Sequence, residues 1–163
     1  MRRIALLLAA VALAGCGGSS KSSAPTTAPS VPAPGAAKVL FQSGGWAVVV
    51  DGETAHALHL VGRRWQKDAS GKVKISILGP TPKSSAAAIP QVAAELSSGI
   101  ALADSALWVD GIEVNTKGGG LTPNRGTIYG APAKALKRGT HVAVAYGRTA
   151  THATAVAWSF HVS

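Results

Sequence analysis

Along most of this chain, apolar and polar residues take turns. Val73, Ile75 and Ile77 alternate with Lys72, Lys74 and Ser76, the spacing of a strand that buries one face. Val142, Val144 and Tyr146 repeat the pattern. So do Val156, Trp158, Phe160 and Val162, set against Ala155, Ala157, Ser159 and His161. The strongest local signal is Leu107-Trp108-Val109-Asp110-Gly111-Ile112-Glu113-Val114. Asp-Gly between alternating apolar residues predicts a two-residue type I′ hairpin, since both central positions need positive φ. That register pairs Val109 with Ile112 and Leu107 with Val114 on one face, and turns Trp108 and Glu113 to the other.

A second Asp-Gly, Asp51-Gly52, follows Trp46-Ala47-Val48-Val49-Val50 and predicts another hairpin. Its return arm, Glu53 to Trp65, reads as a strand in preference to a short helix with Leu58, Val61 and Trp65 on one stripe. Ser84 to Ser98 admits both states. Its alanines and Glu95 suit a helix, with Pro90 allowed only in a first turn, whereas Val92, Ala94 and Leu96 alternate as a strand does. Some eight strands with frequent turn signals specify an all-β sandwich or barrel.

From Val73 onward the order of features resembles a bacterial immunoglobulin-like domain. Ile77-Leu78-Gly79-Pro80-Thr81-Pro82 looks like that family's opening strand and proline-containing exit. Ser105 to Val114 resembles its strand ending in a valine-aspartate-glycine turn. Tyr129-Gly130-Ala131-Pro132 and Leu136-Lys137-Arg138-Gly139-Thr140-His141-Val142 resemble the approach to its penultimate strand, and Ala157 to Val162 its closing strand. The resemblance implies an Ig-like antiparallel β-sandwich over 71–163, with 39–70 added as an N-terminal β-hairpin or meander. Many such domains carry an aspartate and a glycine-asparagine pair in the last interstrand loop. Here that loop reads Arg148-Thr149-Ala150-Thr151-His152, so no ion is carried over to it. The matched motifs make a fold, and function has to come from a site.

The N-terminus follows another pattern. Arg2 and Arg3 precede the apolar run Ile4 to Ala12, which is too short to span a membrane and fits a cleaved secretory leader. Leu13-Ala14-Gly15-Cys16 is similar to a bacterial lipobox, which implies a signal peptide over 1–15. It also implies a diacylglycerol on Cys16 as the mature N-terminus. The expected address is the extracytoplasmic face of the cell membrane, held by that lipid. Gly17 to Ala37 is Gly, Ser, Thr, Ala and Pro apart from Val31 and Lys21, its single charge, so 16–38 reads as a disordered tether stiffened by prolines.

Composition adds two constraints. The chain has one cysteine, so no disulfide framework supports the domain and packing has to. The formal charge is +9, and about +7 once Arg2 and Arg3 leave with the leader, an excess that attracts anionic surfaces. The cations are dispersed singly or in pairs. That pattern specifies no nucleic acid and favours solvated surface.

Candidate chemistry is sparse. Asp51 and Asp110 sit at hairpin turns that account for them. No G-x-S-x-G, S-x-x-K or H-E-x-x-H occurs, and no spacing pairs two carboxylates for acid–base work, so an enzyme is not expected. His56 and His59 are spaced H-x-x-H, which aligns two rings on a helix but opposes them on a strand. His141 and His161 approach each other only if the last two strands pair. No cofactor or metal is expected from this set, although a small-ligand or metal-ion carrier using these histidines is the alternative reading.

The favoured binding candidates are Lys117, Gly118, Gly119, Gly120 and Arg125 in a basic, glycine-rich loop, with Tyr129 as an aromatic wall. A merely mobile connection is the competing reading. Trp108 is either an exposed binding aromatic or a residue covered by the segment 39–66. These features together predict a non-catalytic binding or structural module of the cell envelope that contacts a protein or an anionic polymer.

Overall fold

The structure is a computed structural model and describes residues 29–33, 35–97, 100–119 and 125–163. The first four strands are β1 (Lys38–Ser43), β2 (Trp46–Asp51), β3 (Thr54–Val61) and β4 (Arg64–Lys67). Next come β5 (Ile75–Gly79), β6 (Ser85–Ala86), β7 (Val92–Ser97), a 3₁₀ turn (Leu102–Asp104), β8 (Ser105–Val109) and β9 (Ile112–Val114). The last four are β10 (Lys117–Gly119), β11 (Arg125–Gly130), β12 (Gly139–Arg148) and β13 (Ala153–Val162). The all-β expectation holds: both ambiguous stretches, 53–65 and 84–98, form strands over their described ordered parts.

The strands form three sheets. β1-β2-β3-β4 is an antiparallel meander, and the others run β10-β11-β7-β5 and β6-β13-β12-β8-β9. The β8–β9 register is Leu107↔Val114, Trp108↔Glu113 and Val109↔Ile112, as the hairpin pattern predicts. Asp110 and Gly111 have φ of 52° and 82°, both positive as a type I′ turn demands.

The sheet containing β12 lies between two hydrophobic clusters. On one side Leu107, Val109, Ala143, Ala145, Trp158 and Phe160 pack with Val92, Leu96 and Ile128 of the β7–β11 sheet. On the other, Trp108, Val144, Tyr146 and Ala153 pack with Trp46, Val48, Ala55 and Ala57 of the meander. A strand reading Ala143-Val144-Ala145-Tyr146 is apolar at every position because both of its faces are covered.

The meander is fastened as well as packed. The Asp68 carboxylate accepts the Ala153 N–H at 2.8 Å and faces His152 Nδ1 at 3.3 Å, so the residue after β4 is tied to the β12–β13 turn. Trp65 Nε1 donates to the Pro29 carbonyl at 2.9 Å, which fixes one point of the proline-rich segment to β4.

Candidate ligand cleft

A cleft of 650 Å³ opens between the β8–β9 hairpin and the connection from β11 to β12. Ile112 and Val114 line one wall, Pro132 and Leu136 the other. Two local features hold the walls. At the end of β11, Gly130 passes so close to β9 that a Cβ there would stand 2.9 Å from the Asn115 carbonyl oxygen. Farther along the connection, the Leu136 N–H donates to the Ala88 carbonyl at 2.8 Å.

The deeper polar group is a clasp. His141 Nδ1 meets Asp110 Oδ2 at 2.7 Å, and His141 Nε2 meets the Lys137 carbonyl oxygen at 2.7 Å. Asp110 Oδ1 accepts the Val142 N–H at 3.0 Å, while the Asp110 N–H donates to the Val142 carbonyl at 2.8 Å. Burial favours neutral His141, but the hydrogen bonds to Asp110 and to the Lys137 carbonyl, with the Asp110 charge, outweigh it and raise its pKa. Both ring nitrogens therefore face acceptors, which is the environment of an imidazolium with two N–H donors. Sequence alone attributes Asp110 to its turn. The structure adds a second role for its carboxylate, joining the hairpin tip to β12.

Charge at the cleft mouth is uneven. Lys134 and Lys137 line it and are exposed, as is Glu113 on the opposite wall. Ile112 is 73% exposed, a large apolar side chain left at the rim.

The sequence-predicted binding residues fall elsewhere. Lys117, Gly118 and Gly119 form β10, an edge strand in register with Tyr129, Ile128 and Thr127 of β11. The long glycine-rich loop expected there is thus in part a ladder. Glycines leave no side-chain alternation by which to see a strand. Gly119 lies against the Tyr129 ring, so this part of the predicted set is brought together. Arg125 opens β11 opposite Ser97. Gly120 and Cys16 lie outside the described residues. Trp108 is 2% exposed, so the meander covers it and it presents no binding surface.

The histidines are dispersed. His59 stacks on Trp46 with ring centroids 4.2 Å apart, whereas His56 sits on the opposite face of β3 against Val49. His141 pairs with Phe160 and His161 with Thr140, which puts the two histidines on opposite faces of one sheet. Among the described residues no three of His, Cys, Asp or Glu gather as a metal site would need.

Fold and cleft together define a layered antiparallel β-protein with a preformed apolar hollow at a hairpin tip. No family model matches the chain, and no curated protein matches it.

Proposed function

We propose that this protein is a lipid-anchored binding module of the extracytoplasmic face of the cell membrane, without catalytic activity, whose partner is anionic. Its lipobox-like Leu13-Ala14-Gly15-Cys16 supports the anchor, and the proline-rich stretch supports display away from the bilayer. Strand order supports an Ig-like body. β5, β7, β11 and β10 correspond to one sheet of such a sandwich and β8, β12 and β13 to the other, with β9 added at the edge. The meander is then an extra layer on the second sheet.

The observation that carries binding over chemistry is the clasp. His141, the titratable ring on the cleft lining, has both nitrogens engaged by acceptors at 2.7 Å. It ties the hairpin tip and the β11–β12 connection to β12, and an apolar hollow with a few placed polar groups is the usual form of a ligand site.

Fractionation of cells expressing the full chain tests the anchor. Wild type should partition with membranes, and Cys16→Ser should release the protein or leave it unprocessed. Sedimentation with isolated cell envelope at low and high salt tests the partner, because screening within about 10 Å at 0.1 M weakens exposed charge contacts. Salt-independent sedimentation, or a mature N-terminus beyond Cys16, would overturn the reading.

A further inference from the structure

We infer that the cleft beside the β8–β9 hairpin binds a small amphiphile, an alkyl chain ending in one carboxylate. This rests on the reading of the protein as a module for anionic partners and names the ligand's chemistry. Its size suits such a ligand, since sites for small molecules occupy about 300–1,000 Å³ and this one occupies 650 Å³. Its apolar lining is Val109, Ile112, Val114, Pro132 and Leu136, which offers contact to methylenes, and Asn115 is the uncharged polar side chain beside it.

Charge selects the head. Asp110 is engaged where it stands, one oxygen on His141 and the other on the Val142 N–H. Lys134 and Lys137 on the lining, with exposed Arg138 next in sequence, stand against the two carboxylates of Glu113 and Asp110. The mouth is therefore net positive. Both lysines are mobile-headed point charges on long stems, suited to a head that stays at the water boundary while the chain enters.

An extended peptide fits less well. Its main chain would need a ladder partner, and β9, the edge strand on this side, is three residues long. A metal complex fits less well again, because His141 has no free nitrogen.

The test uses the full chain with Cys16→Ser, so that its own lipid does not compete. Titration calorimetry with dodecanoate, decanoate, butyrate and dodecanol should separate the two contributions. Dodecanoate should bind, and affinity should fall about fourfold for each methylene lost while the chain is buried, the equivalent of about 0.8 kcal/mol. Dodecanol should bind at least tenfold more weakly. Lys134→Ala with Lys137→Ala should remove most of that preference, and Ile112→Ser should weaken both ligands. No binding of dodecanoate, or equal binding of dodecanol, would overturn the proposal. So would an unchanged affinity in both variants. If dodecanoate fails while the envelope still sediments the protein in a salt-dependent way, the amphiphile is wrong and the wider reading survives. If both fail, both are wrong.

Discussion

His141 and Asp110 lie 31 residues apart in sequence and 2.7 Å apart in space, and the pair joins a hairpin tip to the start of β12. The ring's other nitrogen meets the Lys137 carbonyl, so one side chain connects three segments around the cleft. Only the imidazolium donates to both acceptors. When it loses a proton, one contact becomes an acceptor facing an acceptor, which repels.

The pH dependence follows from the raised His141 pKa. A group whose pKa rises on folding stabilises the fold fully below its unfolded value, about 6.5, and that contribution is lost as pH climbs through the folded value. Denaturant midpoints should therefore fall between pH 6 and pH 9. Asp110→Asn tests the origin. Asn tolerates the positive φ at this turn and keeps an oxygen for the Val142 N–H, but removes the charge facing His141. The variant should be less stable at pH 6 and show a flatter profile above it. A profile as steep as wild type would mean that His141 is not the group responsible.

Asp68 acts in the opposite range. Burial alone would raise its pKa, yet hydrogen bonds from Ser70, Ala153 and His152 outweigh burial and hold it at about 2. A depressed carboxylate pKa gives stability that is present above the unfolded value, about 3.9, and lost as pH falls toward the folded one. Asp68→Ala should cost about 1–3 kcal/mol at neutral pH, the range for orphaning a buried donor such as the Ala153 N–H. The variant should lose little further stability between pH 5 and pH 3, where wild type declines. Parallel acid unfolding curves for the two proteins would refute the assignment.

The interface between meander and sandwich supplies a contrasting pair. Trp108 fills it at 2% exposure, and Trp108→Ala should cost about 3–5 kcal/mol, as large-to-small core changes do. Tyr146 lies 6.5 Å away between ring centroids, and its hydroxyl has no hydrogen-bond partner among the described residues. Burial pushes that phenol up to about 12, with opposing effects from Arg148 and Asp104. Tyr146→Phe should then be neutral or stabilising by up to about 1 kcal/mol, because it removes a buried group that makes no bond. Urea denaturation compares both variants, and a large loss in the Phe variant would reveal a partner for the hydroxyl.

Legibility in the sequence followed side-chain alternation. Leu107 to Val114 showed its register because large apolar residues flank an Asp-Gly turn, and the last strand showed its two faces because bulky residues alternate with small or polar ones. At Val61-Gly62-Arg63-Arg64 the return arm turns again into β4, a feature hidden in a stretch that also suits a helical stripe. Lys117-Gly118-Gly119 carries no alternation at all, so β10 looked like loop. The cleft was illegible for a different reason. Ile112, Leu136, His141 and Asp110 come together only through the fold, and each has an ordinary local explanation in a turn, a strand or a connection. Trp108 left two choices open until the meander had a place, and its burial on the middle sheet settles them.

Gly130 tests the cleft's construction without touching its charges. A Cβ at this position would lie 2.9 Å from the Asn115 carbonyl oxygen and 3.0 Å from Val114 Cγ2. The first neighbour is backbone and has no rotamer by which to move aside, so Gly130→Ala must push β11 away from the exit of β9. Overpacking of this kind costs about 1–3 kcal/mol. Val114 and Asn115 both line the cleft, so the same displacement should weaken dodecanoate binding. Gly119→Ala is the matched control, because its Cβ would meet the Tyr129 ring at 3.5 Å, an ordinary contact. That variant should lose well under half as much stability and keep the ligand affinity. Equal losses in the two variants, measured by urea denaturation and calorimetry, would show that the approach of β11 to β9 does not shape the cleft.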